Sequence, residues 1–441
     1  MKILILDPYP DRPWRISKDT IGGYGTANRF GDGFVSRALT ALVASEVDWP
    51  PLYAVHTAGV LLSQGHEVDY SQRLNQNQEI DLCLVTSSII SHETELDVIR
   101  EIVARKVPVG VIGPFATTLP KAYINVGAFV ISGEPEMYFL NYPLALGELT
   151  KLKGIKSAGT PISLDELPLP AWDLIFKVNP PKFGLLGKKH SMLPIVATRG
   201  CPYSCFNYCV YPLQQGRKVR MRDPANIVHE METWVDKLGV NFFIFRDPVF
   251  SINRKHTLEL CDALEKSNYQ FKFVIETHLN NMDDQLVKRL RSVGLEMVKV
   301  GIESISPDAI KQSKRFAIAN DKQIDRIKML EGLGVKVTCF YILGMPGDTE
   351  ESFWATMKYA RALNTVFAQI SVFTPYPGTP AFNEFKNYII VNKYEDFTQY
   401  DLIFKHDTLT SKQVRKMLSR AYRYYYLRPN WFYKYLRARF S

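Results

Sequence analysis

Three of the chain's six cysteines, Cys201, Cys205 and Cys209, lie within nine residues of one another. They follow a short apolar run at residues 193–197, which predicts a buried strand, and Gly200 lies at the turn between the run and the loop. The carboxyl ends of such strands carry the chemistry of α/β proteins, so we expect the loop at the functional edge of a sheet. Three thiolates on one loop can hold three corners of a metal centre, such as a four-iron cluster whose fourth iron stays open to a small molecule.

A disulfide and a zinc site are the other interpretations of these cysteines. Disulfides are typical of secreted proteins, and residues 1–7 predict a strand rather than a signal peptide. A structural zinc site usually takes four ligands, often as two cysteine pairs. Cys83, Cys261 and Cys339 are isolated in apolar or helical runs and are expected to be buried small hydrophobes. The iron–sulfur interpretation is favoured, with zinc and a coincidental grouping as the alternatives.

The length of 441 residues suits two or three domains, and the 46% of apolar residues is ordinary for a globular protein. The sequence contains no apolar run of about eighteen residues, so it predicts no membrane-spanning helix. The small number of cysteines favours a reducing, cytoplasmic location. The net charge of +9 is mild for this length and is concentrated near the C-terminus, so no nucleic acid partner is expected.

Residues 1–150 alternate apolar runs with helical segments, which predicts a Rossmann-like, doubly wound parallel sheet. Such sheets bind ligands at the carboxyl ends of their strands. The residues there that would let a large planar cofactor approach are Thr86, Ser87, Ser88, Gly113, Gly133 and Glu134. The Gly-rich residues 22–33 match no phosphate-binding fingerprint and are expected to form a flexible loop or, alternatively, a lid.

Residues 151–190 are rich in proline, glycine and lysine and predict a linker. After them, six strand and helix units over residues 191–385 predict a partial (β/α)6 barrel of the TIM type, open on one side. Asp223 and Pro224 are expected to begin the helix at residues 224–238. The whole chain is therefore expected to be an α/β protein with two sheets in succession.

The cysteine loop resembles that of the radical S-adenosylmethionine (SAM) enzymes, which carry three cysteines after the first strand of a partial barrel. That family usually has three residues between the first two cysteines and two before the third, which follows an aromatic residue. Here three residues separate each pair, and Tyr208 holds the aromatic position. With the preceding domain, nearly the whole chain resembles the cobalamin-binding subclass. The segments that carry this resemblance are residues 50–52, 65–68, 133–136 and 167–173.

The resemblance implies a 4Fe-4S cluster on the three cysteines, SAM on its open iron, and cobalamin in the first domain. Cobalamin would bind without a protein histidine on cobalt, because the Asp-x-His-x-x-Gly motif of cobalamin mutases is absent. A carboxylate side chain can bind the ammonium group or the ribose hydroxyls of SAM. A hydroxyl side chain can bond to the carboxylate of SAM. The residues expected to contact SAM are Tyr208, Asp247, Glu303, Ser304 and Gly344. His278 and Tyr376 are the candidate catalytic residues.

By the same resemblance, the chain is expected to cleave SAM to a 5′-deoxyadenosyl radical that acts on an unactivated carbon of a biosynthetic intermediate. Methyl transfer through cobalamin is the expected outcome. Cyclisation or rearrangement without methyl transfer is the first alternative, and a non-catalytic cobalamin-binding regulatory module is the second. An external electron donor such as flavodoxin or ferredoxin would reduce the cluster.

Residues 386–441 predict a helical C-terminal region, which is aromatic and basic from residue 412 onward. One interpretation is a helix pair packed over the barrel. The other is an interfacial helix, aromatic toward lipid and basic outside, that makes peripheral membrane contact. Membrane contact would suit a lipid-like substrate, and the substrate is otherwise expected to be another small molecule.

Overall fold

Two parallel six-stranded sheets form the body of the chain in the computed structural model, which describes residues 1–18, 23–159, 163–178, 180–184, 190–312 and 318–440. The predicted α/β class, with a Rossmann-like sheet followed by a partial barrel and a helical C-terminus, is confirmed. Part of the Gly-rich segment, residue 22, lies outside the described residues, as do positions 160–162, 179 and 185–189 of the predicted linker.

The first sheet has a core of apolar strands. Its members are β1 (Lys2–Leu6), β2 (Glu67–Ser71), β3 (Leu82–Thr86), β4 (Val109–Ile112), β5 (Phe129–Ser132) and β6 (Ile155–Ser157). They lie in the order β2-β1-β3-β4-β5-β6, and every pairing is parallel. The strand order reverses between β1 and β3, which makes the carboxyl edge there the expected ligand-binding crevice of a doubly wound sheet.

Helices connect these strands and cover the sheet, which explains why β3 and β4 are buried along their whole length. The helices are α1 (Phe34–Glu46), α2 (Leu52–Ser63), α3 (His92–Ala104), α4 (Pro114–Thr118), α5 (Pro120–Ile124), α6 (Pro135–Asn141) and α7 (Trp172–Val178). Short pairings join Ile16–Ser17 to Thr26–Ala27, and Lys182–Phe183 to both Val47–Asp48 and His190–Ser191.

The second sheet is the partial barrel. Its strands are β7 (Leu193–Ile195), β8 (Phe242–Phe245), β9 (Lys272–Glu276), β10 (Leu295–Glu303), β11 (Lys336–Leu343) and β12 (Phe367–Val372). They pair in parallel and in chain order, and β7 and β12 are the two ends of the sheet as described. The barrel is therefore open between its first and last strands.

Helices alternate with the barrel strands as the sequence predicts. They are α8 (Tyr211–Gln215), α9 (Pro224–Leu238), α10 (Arg254–Lys266), α11 (Asp284–Ser292), α12 (Pro307–Gln312), α13 (Asn320–Gly332), α14 (Glu350–Leu363) and α15 (Pro380–Phe385). The predicted start of α9 is confirmed, because the Asp223 side chain accepts the amide hydrogen of Ala225 at 2.8 Å.

The first barrel strand is shorter than the apolar run at residues 193–197 predicts. It ends at Ile195, and Thr198–Arg199 pairs antiparallel with Arg220–Met221. The backbone leaves the parallel sheet here because its next amides bond to the side chain of Asp247 rather than to a neighbouring strand. After it leaves the sheet, the backbone continues into the cysteine loop.

The C-terminal helices α16 (Ser411–Tyr426) and α17 (Pro429–Phe440) have different environments. The hydroxyl of Tyr422 both donates to and accepts from the backbone of Ile370 at 2.9 Å. Tyr426 does the same at Ala368, at 2.8 and 3.0 Å. These bonds occupy the edge of β12, which an open barrel would otherwise leave unpaired. By contrast, no residue of α17 is fully buried.

Among the described residues, no helix is both long and apolar enough to cross a bilayer.

The tyrosine contacts with β12 predict a stability effect. Tyr426→Phe removes the hydroxyl that satisfies both backbone groups of Ala368, so we expect the free energy of unfolding to fall by about 1–3 kcal/mol. Tyr433→Phe, in a side chain that is 71% exposed, is the matched control and should change it by less than about 0.5 kcal/mol. Chemical denaturation measures both. Equal effects of the two changes would contradict this role.

Candidate functional site

The cysteine loop lies at the carboxyl edge of the barrel. It begins after Gly200, whose φ of +91° is in the left-handed region that favours glycine. The amide of Cys201 donates to the carbonyl of Gly216 at 3.3 Å, and the amide of Cys209 donates to the carbonyl of Cys205 at 3.2 Å. Backbone bonds inside and across the loop therefore hold the three cysteines in one compact turn.

The three thiols form no disulfide, and Cys201 is buried while Cys205 and Cys209 are half-buried. Burial raises the pKa of Cys209, and the neighbouring thiols of Cys205 and Cys201 raise it further. Thiolates are the usual ligands of iron–sulfur clusters, so this donor set fits a four-iron cluster.

The described residues contain no group of three or more His, Cys, Asp or Glu side chains that could hold one metal ion. A zinc site requires its ligands to converge on a single ion. A four-iron cluster instead takes each thiolate on a different iron atom, so its cysteines need not converge on one point.

Tyr208 and Glu303, both predicted SAM contacts, are brought together from distant parts of the chain. The Tyr208 hydroxyl donates a hydrogen bond to the Glu303 carboxylate. Glu303 has a φ of +67°, which is unusual for a residue with a Cβ, and the pairing of β10 with β11 shifts register between Gly301 and Glu303. Bulges and left-handed residues of this kind re-aim side chains at functional sites. The Glu303 carboxylate also lies close enough to Cys209 to raise the pKa of that thiol.

Asp247 has a structural role at the start of the cysteine loop. Its buried carboxylate accepts the amide hydrogen of Ala197 at 3.2 Å and also that of Thr198. Burial raises the pKa of Asp247 to about 6, against the opposing effect of these hydrogen bonds. The side chain joins the end of β8 to the chain entering the loop. Its predicted contact with SAM stays a prediction.

Two further predicted SAM contacts lie at the ends of β10 and β11. The buried hydroxyl of Ser304 accepts the amide hydrogen of Ser306 at 3.1 Å and lies 3.4 Å from the hydroxyl of Thr356. Gly344 follows β11 with a φ of +71°. Both stand at the same edge as the cysteine loop, and their contact with SAM remains a prediction.

The two candidate catalytic residues have different surroundings. The His278 ring lies 5.4 Å from the ring of Tyr203, which belongs to the cysteine loop. Tyr376 is buried, donates to the carbonyl of Phe397 at 3.4 Å and packs 5.5 Å from the ring of Tyr24 in the first domain. His278 is therefore beside the loop, whereas Tyr376 is part of the packing between domains.

A buried group of charges connects the cysteine loop to the first domain. Arg199, two residues before the first cysteine, forms ion pairs with Glu136 and, at 3.4 Å, with Glu134. Arg220 binds Glu134 through two hydrogen bonds of 2.7 and 2.8 Å. Burial would raise the pKa of Glu134, but the two guanidinium groups outweigh it and lower that pKa. We call Arg199, Arg220, Glu134 and Glu136 the interdomain ion cluster.

Sequence reasoning missed this cluster and assigned Glu134 to cobalamin. The available signal was an arginine directly before the cysteine loop together with the acidic pair at residues 134–136. A second interdomain bond runs from the side chain of Gln214 to the carbonyl of Gly133 at 3.0 Å. Both predicted cobalamin residues of this turn are thus engaged in contacts between the two domains.

The remaining predicted cobalamin residues also make contacts within the protein. The hydroxyls of Thr86 and Ser88 donate to Asp7 at 2.6 Å and to Glu95 at 3.1 Å. Ser87 accepts the amide hydrogen of Ala116 at 3.0 Å. Gly113 has a φ of +114°, and a Cβ there would meet the ring of Tyr53. These residues lie at the predicted edge of the sheet, and the approach of cobalamin to them stays a prediction.

The buried Lys18 is the centre of the polar group behind these hydroxyls. Its ammonium lies 3.1 Å from the Asp7 carboxylate and 3.4 Å from that of Glu95, and donates to the carbonyl of Pro8 at 2.7 Å. Burial raises the pKa of Glu95 to about 7, although the charge of Lys18 opposes this. The sequence did not single out Lys18, because its partners come from two separate segments, residues 7–8 and the helix that contains Glu95.

Fold and site together define a class of protein: a Rossmann-like domain ahead of a partial barrel whose first loop presents three cysteines. Residues 195–360 match the radical SAM superfamily. The matched segment contains the cysteine loop and most of the barrel, and it supports an enzyme of the radical SAM kind, as the cysteine loop predicts.

Relatives and a solved structure cover more of the chain. An uncharacterised methyltransferase of Pyrococcus horikoshii is 28% identical over 320 residues, 68% of this chain and 67% of the relative. An anaerobic magnesium-protoporphyrin IX monomethyl ester cyclase of Cereibacter sphaeroides is 26% identical over 87% of this chain and 68% of its own length.

The structure of the radical SAM methyltransferase TsrM of Kitasatospora setae, with cobalamin and a [4Fe-4S] cluster bound, covers 88% of this chain and 78% of its own. Its TM-score is 0.62 and its identity 17%. The similarity to TsrM concerns the fold, which spans both domains.

The interdomain ion cluster predicts a large effect on stability. Arg199→Leu would leave the Glu136 carboxylate buried without its partner, so we expect the free energy of unfolding to fall by about 3–5 kcal/mol. Arg289→Leu removes an arginine that pairs with Asp262 and Glu265 at the surface and should cost less than about 1 kcal/mol.

The double change Arg199→Leu and Glu136→Leu removes the unpaired charge and should recover part of the loss. Chemical denaturation of the three variants measures this. A double variant no more stable than Arg199→Leu would contradict the role of the ion pair.

Proposed function

We propose that this chain is a cobalamin-dependent radical SAM enzyme that methylates an unactivated carbon of a small biosynthetic intermediate. The observation that carries the proposal is the loop of three neighbouring thiols at the carboxyl edge of an open barrel, joined directly to a Rossmann-like domain. The methyltransferase names among the relatives, and the cobalamin bound by TsrM, support the choice of reaction and cofactor.

Cyclisation without methyl transfer is the second candidate. It is favoured by the magnesium-protoporphyrin ester cyclase, whose similarity extends over 87% of the chain. The substrate class is proposed only as a small molecule, lipid-like or otherwise. An external donor such as flavodoxin or ferredoxin and a cytoplasmic location belong to the same proposal.

Cys201, Cys205 and Cys209 are the residues that would hold the cluster. When bound, the cluster supplies the electron for reductive cleavage of SAM. Asp247 fixes the backbone that enters the loop, and Arg199 ties the same segment to the first domain. Tyr208 donates to Glu303 and so keeps this carboxylate aimed at the loop, where it can bind the ammonium or ribose of SAM. The chain's own contribution is therefore positioning.

The proposal predicts the iron content of variants. Replacing Cys201, Cys205 and Cys209 by Ala should remove the iron, the visible iron–sulfur absorption and SAM cleavage, because the cluster loses its thiolate ligands. Cys261→Ala, at a buried cysteine of α10, is the matched control and should retain all three. Anaerobic purification, iron analysis and absorption spectra measure this. Full iron content without the three cysteines would refute the assignment.

The products of turnover distinguish the two candidate reactions. Methyl transfer should release both 5′-deoxyadenosine and S-adenosylhomocysteine, whereas cyclisation should release 5′-deoxyadenosine alone. Corrinoid absorption bands that survive in the triple cysteine variant would support a separate cobalamin site. If the intact protein takes up iron but no cobalamin, the cobalamin part of the proposal fails while the radical SAM part stands.

A further inference from the structure

The last helix, α17, presents a row of exposed apolar side chains. Phe432, Leu436 and Phe440 are 49%, 49% and 76% exposed, and Tyr433 is 71% exposed. The spacing of four residues between the first three places them on one side of the helix, with Tyr433 beside them. We call these four residues the outer face of α17. Single exposed apolar residues are common, but a contiguous patch of large ones marks a surface that binds something.

The opposite side of α17 is attached to the barrel, so the direction of the outer face is determined. The indole nitrogen of Trp431 donates to the carbonyl of Val366 at 2.8 Å, and its ring packs 4.8 Å from the ring of Tyr426. Lys434 pairs with Glu331 at 2.5 Å. These contacts hold the helix against the barrel with Phe432, Leu436 and Phe440 toward solvent.

Charge is distributed on α17 in a way that selects one kind of partner. Arg437 and Arg439 fall on the two sides of the outer face by helical spacing, and the helix contains no acidic residue. The guanidinium of Arg439 lies 5.5 Å from the ring centre of Phe440. Aromatic and aliphatic side chains with arginines at their margins are typical of helices that lie in a membrane interface.

We propose that the outer face of α17 docks on the anionic surface of a lipid bilayer. Its aromatic side chains would enter the boundary between headgroups and acyl chains, and Arg437 and Arg439 would bind lipid phosphates. Two copies of the chain meeting through the same face would bring their arginines together, and this repulsion disfavours a symmetric dimer there. This docking does not depend on any step of the proposed reaction.

Vesicle binding of the full-length protein tests the proposal. The probes are vesicles of phosphatidylcholine alone and of phosphatidylcholine with about one third phosphatidylglycerol, an anionic lipid. We expect the protein to sediment with the anionic vesicles and to be released by salt. The triple change Phe432→Ser, Leu436→Ser and Phe440→Ser should weaken binding by at least about tenfold. Arg437→Gln with Arg439→Gln should also weaken it about tenfold and abolish the preference for the anionic lipid.

Matched controls remove the same groups elsewhere. Leu146→Ser, Tyr388→Ser and Ile390→Ser replace three apolar residues that are 54–61% exposed, and Lys255→Gln with Lys266→Gln removes two charges from α10. All these variants should bind vesicles as the unaltered protein does. Iron content and the thermal midpoint confirm that each is folded.

Three results would overturn the proposal. The unaltered protein could stay in solution with both vesicle types, or the triple serine variant could bind as well as the unaltered protein. A dimer that the triple serine variant dissociates, without vesicle binding, would assign the outer face to a second copy instead. Each result leaves the proposed reaction intact, because iron content and SAM cleavage are measured on the same samples.

Discussion

The buried guanidinium of Arg199 is the point on which the arrangement of the two domains depends. It stands two residues before the first cysteine and pairs with Glu134 and Glu136 at the carboxyl edge of the first sheet. A charge buried this deeply is tolerated only while its partners surround it. The Rossmann-like domain cannot move away from the barrel without exposing or unpairing these groups. The ion pairs of Arg199 therefore fix both the relative position of the two domains and the start of the cysteine loop.

The loop itself is held by groups from several strands. Asp247 at the end of β8 binds the amides that lead into it, and Glu303 at the end of β10 accepts from Tyr208 inside it. The left-handed backbone at Glu303 is a conformation that costs free energy, which neighbouring contacts must offset. Strain located where a predicted cofactor contact meets the cysteine loop is consistent with a site whose geometry takes precedence over local backbone preference.

The helical tail protects the open side of the barrel. An incomplete barrel leaves the last strand with an unpaired edge, and Tyr422 and Tyr426 bond to the backbone of alternate residues along it. The aromatic residues of the C-terminal region, which suggested a lipid-facing helix, therefore have two different roles. The tyrosines of α16 satisfy backbone groups, whereas the aromatic residues of α17 face outward.

Most of the fold was predictable because it follows from short-range patterns in the sequence. Apolar runs, helical periodicity and capping residues such as Asp223 depend on neighbours within a few positions, and α9 occupies residues 224–238 as predicted. By contrast, β6 and α7 lie within residues 151–190, where only a linker was expected. The close spacing of the three cysteines is likewise a local feature, and it is enough to indicate a cluster. The succession of two sheets followed from these features, and the enzyme class followed from the resemblance of the cysteine loop to that of the radical SAM enzymes.

What a polar residue at a strand end does was decided by tertiary structure alone. Glu134 and Arg220 are 86 positions apart, and nothing local distinguishes a glutamate that binds an arginine from one that binds a cofactor. The same holds for Thr86, whose hydroxyl bonds to Asp7, and for Tyr376, which packs between domains. The sequence by itself determined the two sheets and the thiol loop, because those depend on short-range pattern. Only the folded chain determined which charged and hydroxyl groups bond to each other, because desolvation and pairing arise when distant segments meet.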